Sequence, residues 1–304
     1  MRREIVYNKG EDRSAVRGPR QQKGRQNLEA SVRKELTELA RKVRVGVIES
    51  TNAAKCGHPG GSLSIAEIVT WLYFKEMRVD PKAPQDPDRD RFVLSKGHTA
   101  PALYTALALR GFFPWEELYT LRKLGTRLQG HPSMHALDCI DMSTGSLGQG
   151  VSTACGMALA AKLDKKDYRV YTVLGDGESE EGQVWEAAMF AAHYRLDNLC
   201  AVFDLNGLQI DGEVTKVMNI APMADKLRAF GWEVCEINGH DFDEIERAFE
   251  TARKTKSRPT AILSHSVKGK GVSFMENQAA WHGKATSPEE YEKAMAELTA
   301  AREA

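Results

Sequence analysis

Short apolar runs alternate with longer amphipathic segments through the middle of the chain. The runs 171–175 (YTVLG) and 199–205 (LCAVFDL) are rich in β-branched and aromatic residues, which is typical of buried strands. The segment 182–194 (GQVWEAAMFAAHY) between them has the length and composition of a helix. A strand–helix–strand unit of this length joins parallel strands of one sheet through a right-handed crossover.

The same alternation extends over most of the chain. Further strands are predicted at 91–95, 232–238 and 260–266, and further helices at 28–55, 65–77, 100–111, 115–124, 151–163 and 242–254. We expect Ser62 or Ser64 to cap the second of these helices. Near the end of the chain, Ser287 and Glu290 form a capping box with Pro288 at the first helical position, which predicts a closing helix.

This pattern predicts an α/β fold, a doubly wound parallel sheet with helices on both faces, in one domain over residues 28–304. Residues 1–27 differ from the rest, since they carry eight basic residues against three acids and few apolar ones. Such a composition predicts a disordered tail, and a solvated tail is favoured over a functional basic arm. The tail also lacks the apolar core of a signal peptide.

Composition narrows the class of protein. Over 304 residues, 42 Lys and Arg balance 42 Asp and Glu, which disfavours a general nucleic-acid binder. No run approaches the roughly 18 apolar residues of a membrane span. The five cysteines are odd in number and scattered without a Cys-x-x-Cys pair, which indicates reduced thiols in the cytoplasm.

Two oxygen-bearing side chains follow neighbouring strands. Asp176 comes directly after 171–175, and Asn206 comes directly after 199–205. Both should lie at the carboxyl edge of the sheet, roughly 5 Å apart, where open α/β sheets bind ligands. A carboxylate, an amide oxygen and nearby glycines suit a hard cation that holds a diphosphate. Neither common phosphate-binding motif is present. The dinucleotide fingerprint would need glycine at 175, 177 and 180, but position 180 is Glu. The Walker motif would need Gly-Lys-Ser/Thr, which follows neither glycine cluster.

Four histidines adjoin glycines in predicted loops, namely His58, His98, His131 and His282. A lone histidine is more often structural, as we expect for His193 and His265, but four in such turns indicate a polar pocket that moves protons. His131 and His135 have the spacing of a zinc pair, although Pro132 intervenes and the metalloprotease glutamate is missing.

Two further loops could contact an anion. Lys268 follows a predicted strand and could reach the sheet edge, or it could be solvated. The glycine-rich segment 145–150 (GSLGQG) opens the small-residue helix, where its amides could face a phosphate or a ring, or it could be a flexible turn.

The motifs CGHPGGS, RFVLSKGH, GHP, TGSLGQG, GDGESEEG, DLNGLQIDG and WHGK occur in this order between about residues 30 and 285. Together they make the chain resemble the amino-terminal, diphosphate-binding half of transketolase, an enzyme of the pentose phosphate pathway. The resemblance implies the thiamine diphosphate-binding fold and transfer of a two-carbon ketol unit from a ketose to an aldose. The cofactor supplies the carbanion chemistry of that transfer.

The resemblance also implies roles for individual residues. The Mg²⁺ ligands would be Asp176, Asn206 and the Leu208 carbonyl, and Ca²⁺ or Mn²⁺ could substitute for Mg²⁺. The remaining cofactor contacts would come from His98, Gly145, Ser146, Leu147, Gly175, Gly177, Glu178, Lys268 and His282. The catalytic set would be His58, His98, His131 and His282, with Glu181 matching the glutamate that links paired active sites across a dimer. Lys96 matches the turn lysine of one transketolase branch.

Transketolases continue for roughly as many residues again, and the second half carries the pyrimidine-binding groups. We therefore expect a split enzyme, a tetramer with two copies each of this chain and a complementary chain. Sugar phosphates are its expected substrates, with neither nucleic acid nor membrane as a partner. The alternatives are a subunit similar to deoxyxylulose-phosphate synthase, a specialised transketolase of secondary metabolism, and a non-catalytic scaffold that binds a partner.

Overall fold

The computed structural model of the chain describes residues 28–300, so the tail predicted at 1–27 lies outside the described residues. The helices are α1 (Ala30–Ala54), α2 (Pro59–Ser64), α3 (Ala66–Trp71), α4 (Ala100–Arg110), α5 (Gln149–Leu163), α6 (Gly182–His193), α7 (Val214–Val217), α8 (Met223–Ala229), α9 (Phe242–Lys254) and α10 (Pro288–Ala300). The strands are β1 (Arg91–Leu94), β2 (Val170–Gly175), β3 (Leu199–Leu205), β4 (Leu208–Gln209), β5 (Gly212–Glu213), β6 (Glu233–Asn238) and β7 (Thr260–His265). A π-helical turn (Leu72–Glu76) continues α3, and short 3₁₀ turns cover Gly97–Thr99, Trp115–Thr120, Gly177–Glu180 and Ala279–His282.

Five parallel strands form the central sheet in the order β1-β2-β3-β7-β6. Helix α6 joins β2 to β3, and α9 joins β6 to β7. This confirms the predicted α/β fold and the parallel pairing of the two strands that precede Asp176 and Asn206. The short strands β4 and β5 form a separate antiparallel hairpin just after the Asn206 position.

Helices cover both faces of this sheet, because successive side chains of each strand point to opposite sides. In β3, Cys200 and Val202 belong to one buried core, together with residues of α1, α3, α4 and α9. The alternating Leu199, Ala201 and Phe203 belong to a second core with α5, α6 and α8. A strand buried on both faces reads as a continuous apolar run, as 199–205 does.

The prediction that Ser62 or Ser64 caps a helix near Ile65 is wrong. Helix α2 already begins at Pro59, whose ring has a helical φ and needs no donor at this position. Both serines lie inside α2, where the Ser62 hydroxyl donates to the His58 carbonyl at 2.7 Å. The predicted helix 65–77 corresponds to α3 from Ala66, which continues as a π-helical turn to Glu76, and Ile65 separates it from α2.

The predicted helix 115–124 is also shorter than expected. Only the 3₁₀ turn from Trp115 to Thr120 forms, because Leu121 is buried and has a non-helical ψ of 128°. Burial of that side chain outweighs the helical composition of the segment.

The closing helix agrees with its predicted cap. The Ser287 hydroxyl accepts from the Glu290 amide at 3.2 Å, and the Glu290 carboxylate accepts from the Ser287 amide at 2.8 Å. Within residues 28–300, none of the helices combines the length and apolar character that a membrane crossing requires.

Candidate active site

The Asp176 carboxylate bridges the ends of two adjacent strands. It follows β2, and its oxygens accept from the Gly177 amide at 2.8 Å and the Gly207 amide at 2.5 Å. The predicted neighbourhood of Asp176 and Asn206 is therefore present in the structure. Burial and the nearby Asp204 carboxylate raise the pKa of Asp176 to about 6.

Asp204 organises the floor of the site, although the sequence analysis missed it. Its carboxylate is fully buried and accepts from Lys96 at 2.5 Å, Ser64 at 2.7 Å and the Asn206 amide group at 2.8 Å, and also from Ser266. Burial opposes ionisation, but Lys96 and these donors hold the pKa of Asp204 below its ordinary value. The sequence did contain a signal, since an acid inside the apolar run LCAVFDL needs buried partners.

This network orients Asn206. Because its Nδ2 donates to Asp204, its Oδ1 is left as an acceptor, and that oxygen accepts from the Leu208 amide at 3.1 Å. Asn206 and Asp176 line the same cavity.

Lys268 lies in the loop after β7, and only 1% of its surface is exposed. Its Nζ donates to the Leu208 carbonyl at 3.0 Å and lies 2.9 Å from Nδ1 of His282. Burial and the charge of Lys96 lower the pKa of Lys268 to about 8. The Leu208 carbonyl, predicted as a metal ligand, thus accepts from Lys268 in this structure and borders the same cavity.

The four predicted histidines form one cluster. The ring centroids of His58 lie 5.2 Å from His98, 5.4 Å from His282 and 6.4 Å from His131, and His98 stacks on His282 at 5.0 Å. Burial is the main reason that all four pKa values are lowered, to about 4 for His58 and about 3 for His282. The rings are therefore neutral at pH 7, and Nδ1 of His58 is buried without a hydrogen-bond partner among the described residues.

The glycine-rich loop before α5 approaches this cluster closely. Gly145 has a φ of +143°, and a Cβ there would lie 3.1 Å from the His131 ring. Leu147 lines the cavity, whereas Ser146 is exposed.

Glu178 fastens this loop to the sheet. Its buried carboxylate accepts from the amides of Gly148 and Gly175, each at 2.9 Å, and from the Ser95 hydroxyl. Both of its oxygens are thus bonded to protein groups, although the residue borders the cavity.

Glu181 lies at the start of α6 and is exposed in the single chain. The same helix exposes Met189 (57%) and Phe190 (37%), and Tyr194 follows at 47%. An acid and an apolar face on one helix are compatible with the predicted place of Glu181 at an interface between subunits.

A cavity of about 200 Å³ lies among these groups, bordered by His98 and His282 but not by His58 or His131. Its lining includes Gly61, Lys96, His98, Leu147, Gly175, Asp176, Gly177, Glu178, Glu181, Asn206, Leu208, Lys268 and His282. Within residues 28–300, no group of three or more His, Cys, Asp or Glu side chains could hold a metal, so the His131–His135 zinc alternative gains no support. One carboxylate, one amide oxygen and one carbonyl instead form a hard-oxygen set, which fits Mg²⁺ that shares a diphosphate.

Comparison with known proteins agrees with this geometry. The family described as "Transketolase, thiamine diphosphate binding domain" matches residues 35–301. The 6-deoxy-6-sulfo-D-fructose transketolase subunit SqwG of Clostridium sp. (strain MSTE9) is 50% identical, over 87% of this chain and 96% of its own length. One of the subunits of the apulose-4-phosphate transketolase of Phocaeicola vulgatus is 46% identical, over 85% of this chain and 92% of its own.

Solved structures give the same result. Transketolase from Campylobacter jejuni superposes with a TM-score of 0.81 at 32% identity, covering 90% of this chain but 43% of the Campylobacter chain. This chain thus spans less than half the length of that transketolase, while it matches nearly all of the two subunits. The chain belongs to the transketolase family of enzymes and corresponds to its amino-terminal, thiamine diphosphate-binding part.

Proposed function

We propose that this chain is the cofactor-anchoring subunit of a two-chain transketolase, which transfers a two-carbon ketol unit from a ketose to an aldose with thiamine diphosphate and Mg²⁺. One observation carries the proposal. Asp176, Asn206 and the Leu208 carbonyl converge at the carboxyl edge of the sheet, in a cavity that also holds Lys268 and buried, neutral histidines. The two relatives that are named as transketolase subunits support the two-chain arrangement.

The residues present fit the diphosphate end of the cofactor. Asp176, Asn206 and Leu208 would hold Mg²⁺ by oxygen ligands. Lys268 and His98 would contact the diphosphate, as would Gly177, whose amide donates to Asp176 in this structure. A Cβ at Gly177 would lie 2.9 Å from Cβ of Gln209, so the close contact of these two residues needs glycine. When bound, the cofactor supplies the stabilised carbanion that ketol transfer requires.

The histidine cluster would accept and donate protons during the reaction. A neutral imidazole can accept a proton at one nitrogen and donate from the other, and His58 has a free buried nitrogen for a sugar hydroxyl. Because burial keeps the rings uncharged, they can hydrogen-bond to substrate hydroxyls without repelling the proposed Mg²⁺. His131 and His58 would line the substrate side, and His98 and His282 the diphosphate side.

The complementary chain would supply the pyrimidine-binding groups. We propose a heterotetramer of two copies of each chain, in which Glu181 lies at the contact between paired sites. The five cysteines are all free, as expected of a cytoplasmic protein.

The substrate could belong to a specialised pathway instead of the pentose phosphate pathway. The two subunits compared above are named for 6-deoxy-6-sulfo-D-fructose and for apulose 4-phosphate. Both names describe a sugar with an anionic group at its end, so we infer a ketose of this kind as donor. A synthase-like subunit is less favoured, because the WHGK and GSLGQG segments match transketolase itself.

The test is a coupled assay with purified chain, with and without the complementary chain that carries a pyrimidine-binding domain. Xylulose 5-phosphate, 6-deoxy-6-sulfofructose and apulose 4-phosphate serve as alternative donors. We expect no ketol transfer by the chain alone, and activity that saturates near equal stoichiometry when the partner is added. Robust turnover by the lone chain would refute the two-chain proposal. If the assembled pair binds no thiamine diphosphate, the chain is a scaffold and has no part in catalysis.

A further inference from the structure

The loop that carries Lys268 is held at two backbone points, one on each side of that lysine. The Val267 amide donates to Nε2 of His240 at 2.9 Å. Three residues later, the Lys270 carbonyl accepts from Nε of Arg44, also at 2.9 Å. His240 and Arg44 come from distant parts of the chain, since His240 lies between β6 and α9 and Arg44 belongs to α1.

The hydrogen bonds of His240 determine its tautomer. Because Nε2 accepts from the Val267 amide, the ring carries its proton on Nδ1. That nitrogen lies 3.0 Å from Oε2 of Glu67, to which it donates. His240 therefore serves as a neutral connection between a buried carboxylate and the backbone before Lys268.

Glu67 also holds the second contact. Its other oxygen, Oε1, accepts from the Arg44 guanidinium at 2.6 Å, and both side chains are about one-tenth exposed. Burial acts to raise the pKa of Glu67, but Arg44 and His240 together lower it to about 2, so the carboxylate stays ionised. One carboxylate on α3 thus orients both groups that hold the loop.

The segment between the two contacts has little freedom. Gly269 has a φ of +81°, and its amide donates to the Gly60 carbonyl at 2.9 Å. A Cβ at Gly271 would lie 2.8 Å from Cδ of Arg44, so this glycine allows the arginine to cross the loop. Lys268 itself extends from the middle of the segment into the cofactor cavity.

We propose that Arg44, Glu67 and His240 form a positioning triad, which fixes the 267–270 backbone so that Lys268 reaches the diphosphate site. The inference rests on the proposed function, since it assigns the purpose of the triad to the same cavity. A buried ion pair is by itself weak support for stability. Here, however, both partners of Glu67 also bond to the backbone that flanks Lys268, Arg44 through Nε and His240 through Nε2.

Two substitutions at one position separate the roles of the two ring nitrogens. His240→Gln places an acceptor near the position of Nε2 and can keep the bond to the Val267 amide. His240→Asn keeps a donor near Nδ1 for Glu67 but is too short to reach Val267. Arg44→Lys is a second route, because it keeps the charge beside Glu67 but cannot also reach the Lys270 carbonyl.

The first measurement is amide hydrogen exchange on the full chain without cofactor, read from peptides that contain Val267. We expect at least roughly tenfold faster exchange in His240→Asn than in His240→Gln, which should resemble the wild type, because the amide loses its bond only in the Asn variant. In Arg44→Lys, exchange around residue 270 should rise. If the Asn and Gln variants exchange at the same rate, the positioning role of His240 is wrong.

The second measurement is the affinity of the assembled enzyme for thiamine diphosphate at saturating Mg²⁺, by calorimetry. The loss should be roughly three- to tenfold in His240→Asn and small in His240→Gln, at similar unfolding temperatures. Faster exchange without loss of affinity, or losses that simply follow unfolding temperature, would overturn the proposal. Absence of binding by the wild type would refute the proposed function instead, and the exchange experiment would still decide whether His240 holds the loop.

Discussion

At the scale of single residues, burial sets the charge of the cavity. The four clustered histidines all have lowered pKa values, because their rings are desolvated and lie near Lys268, Lys96 or Arg122. Asp176 and Asp204 form the acidic floor, where Lys96 balances one of the two carboxylates. The site thus combines neutral imidazoles with two carboxylates and two buried lysines, Lys96 and Lys268.

The lowered pKa of His58 predicts a pH dependence of stability. An exposed histidine has a pKa of about 6.5, whereas His58 has one of about 4. As pH falls between these values, the unfolded chain takes up a proton that the folded chain does not, so stability is lost. His58→Gln cannot titrate and should show a shallower decline between about pH 7 and pH 5. Denaturant midpoints across that range test this, and equal slopes in both proteins would contradict the lowered pKa.

The metal assignment predicts the effect of removing its ligands. Asp176→Ala or Asn206→Ala should reduce Mg²⁺-dependent binding of thiamine diphosphate by at least roughly 100-fold in the assembled enzyme. The fold should persist, because both side chains lie at the sheet edge and not in either apolar core. Asp211→Ala, an exposed acid in the neighbouring hairpin, is the control. Unchanged affinity in both ligand variants, measured by calorimetry, would refute the assignment.

At the scale of elements, close backbone approaches bring the loops of the site together. Helix α5 begins against the end of β1, where a Cβ at Gly150 would lie 2.6 Å from the Ser95 Cα. This contact brings the 145–150 loop beside the His98 turn. The small-residue composition of α5 is therefore a packing requirement at its first turn.

Two glycines of α5 give a matched pair of substitutions. Gly150→Ala should destabilise the chain by about 1–3 kcal/mol, because the backbone at Ser95 cannot move aside easily. Gly156→Ala should instead stabilise it by about 0.5–1 kcal/mol, since nothing lies within 4 Å of a Cβ there. Denaturant unfolding of both variants checks this. Equal effects of the two substitutions would show that the approach at Ser95 is not tight.

The sequence predicted elements better than the contacts between them. Runs such as 199–205 and the motif glycines locate strands and loops, and so they bring Asp176, Asn206 and the histidines to one edge. The partners of Asp204 and Glu67 could not be predicted, because they come from segments far apart in the chain. Sequence predicted the cap at Ser287, where local chemistry decides, but not the helix start at Pro59, six residues before the predicted start at Ile65.

At the scale of the whole molecule, apolar side chains near the end of α6 are exposed in the described chain. Met189, Phe190 and Tyr194 are partly exposed towards the end of α6, the helix that Glu181 precedes. Contiguous apolar side chains of this kind mark interfaces between proteins. This face is where we expect the proposed assembly to form.

These exposed apolar side chains predict self-association of the purified chain. Sedimentation velocity should show mass rising with concentration for the wild type and less so for Met189→Glu. Leu124→Glu is a matched control, because Leu124 is an exposed apolar side chain outside α6. If both variants associate as the wild type does, the α6 face is not the contact.

The strand order also determines when the central strand of the sheet gains its second neighbour during synthesis. β3 lies at the centre of the sheet and pairs with β2 on one side, but its other neighbour, β7, is made only after β6 and α9. During synthesis, the most apolar strand therefore remains with one edge unpaired while about 55 further residues leave the ribosome, counting from Leu205 to Thr260. Slower translation does not shorten this stretch of unpaired synthesis, whereas chaperones and a lower growth temperature protect the unpaired edge of β3. We expect the yield of native chain to depend on the fate of this edge more than on the final stability of the sheet.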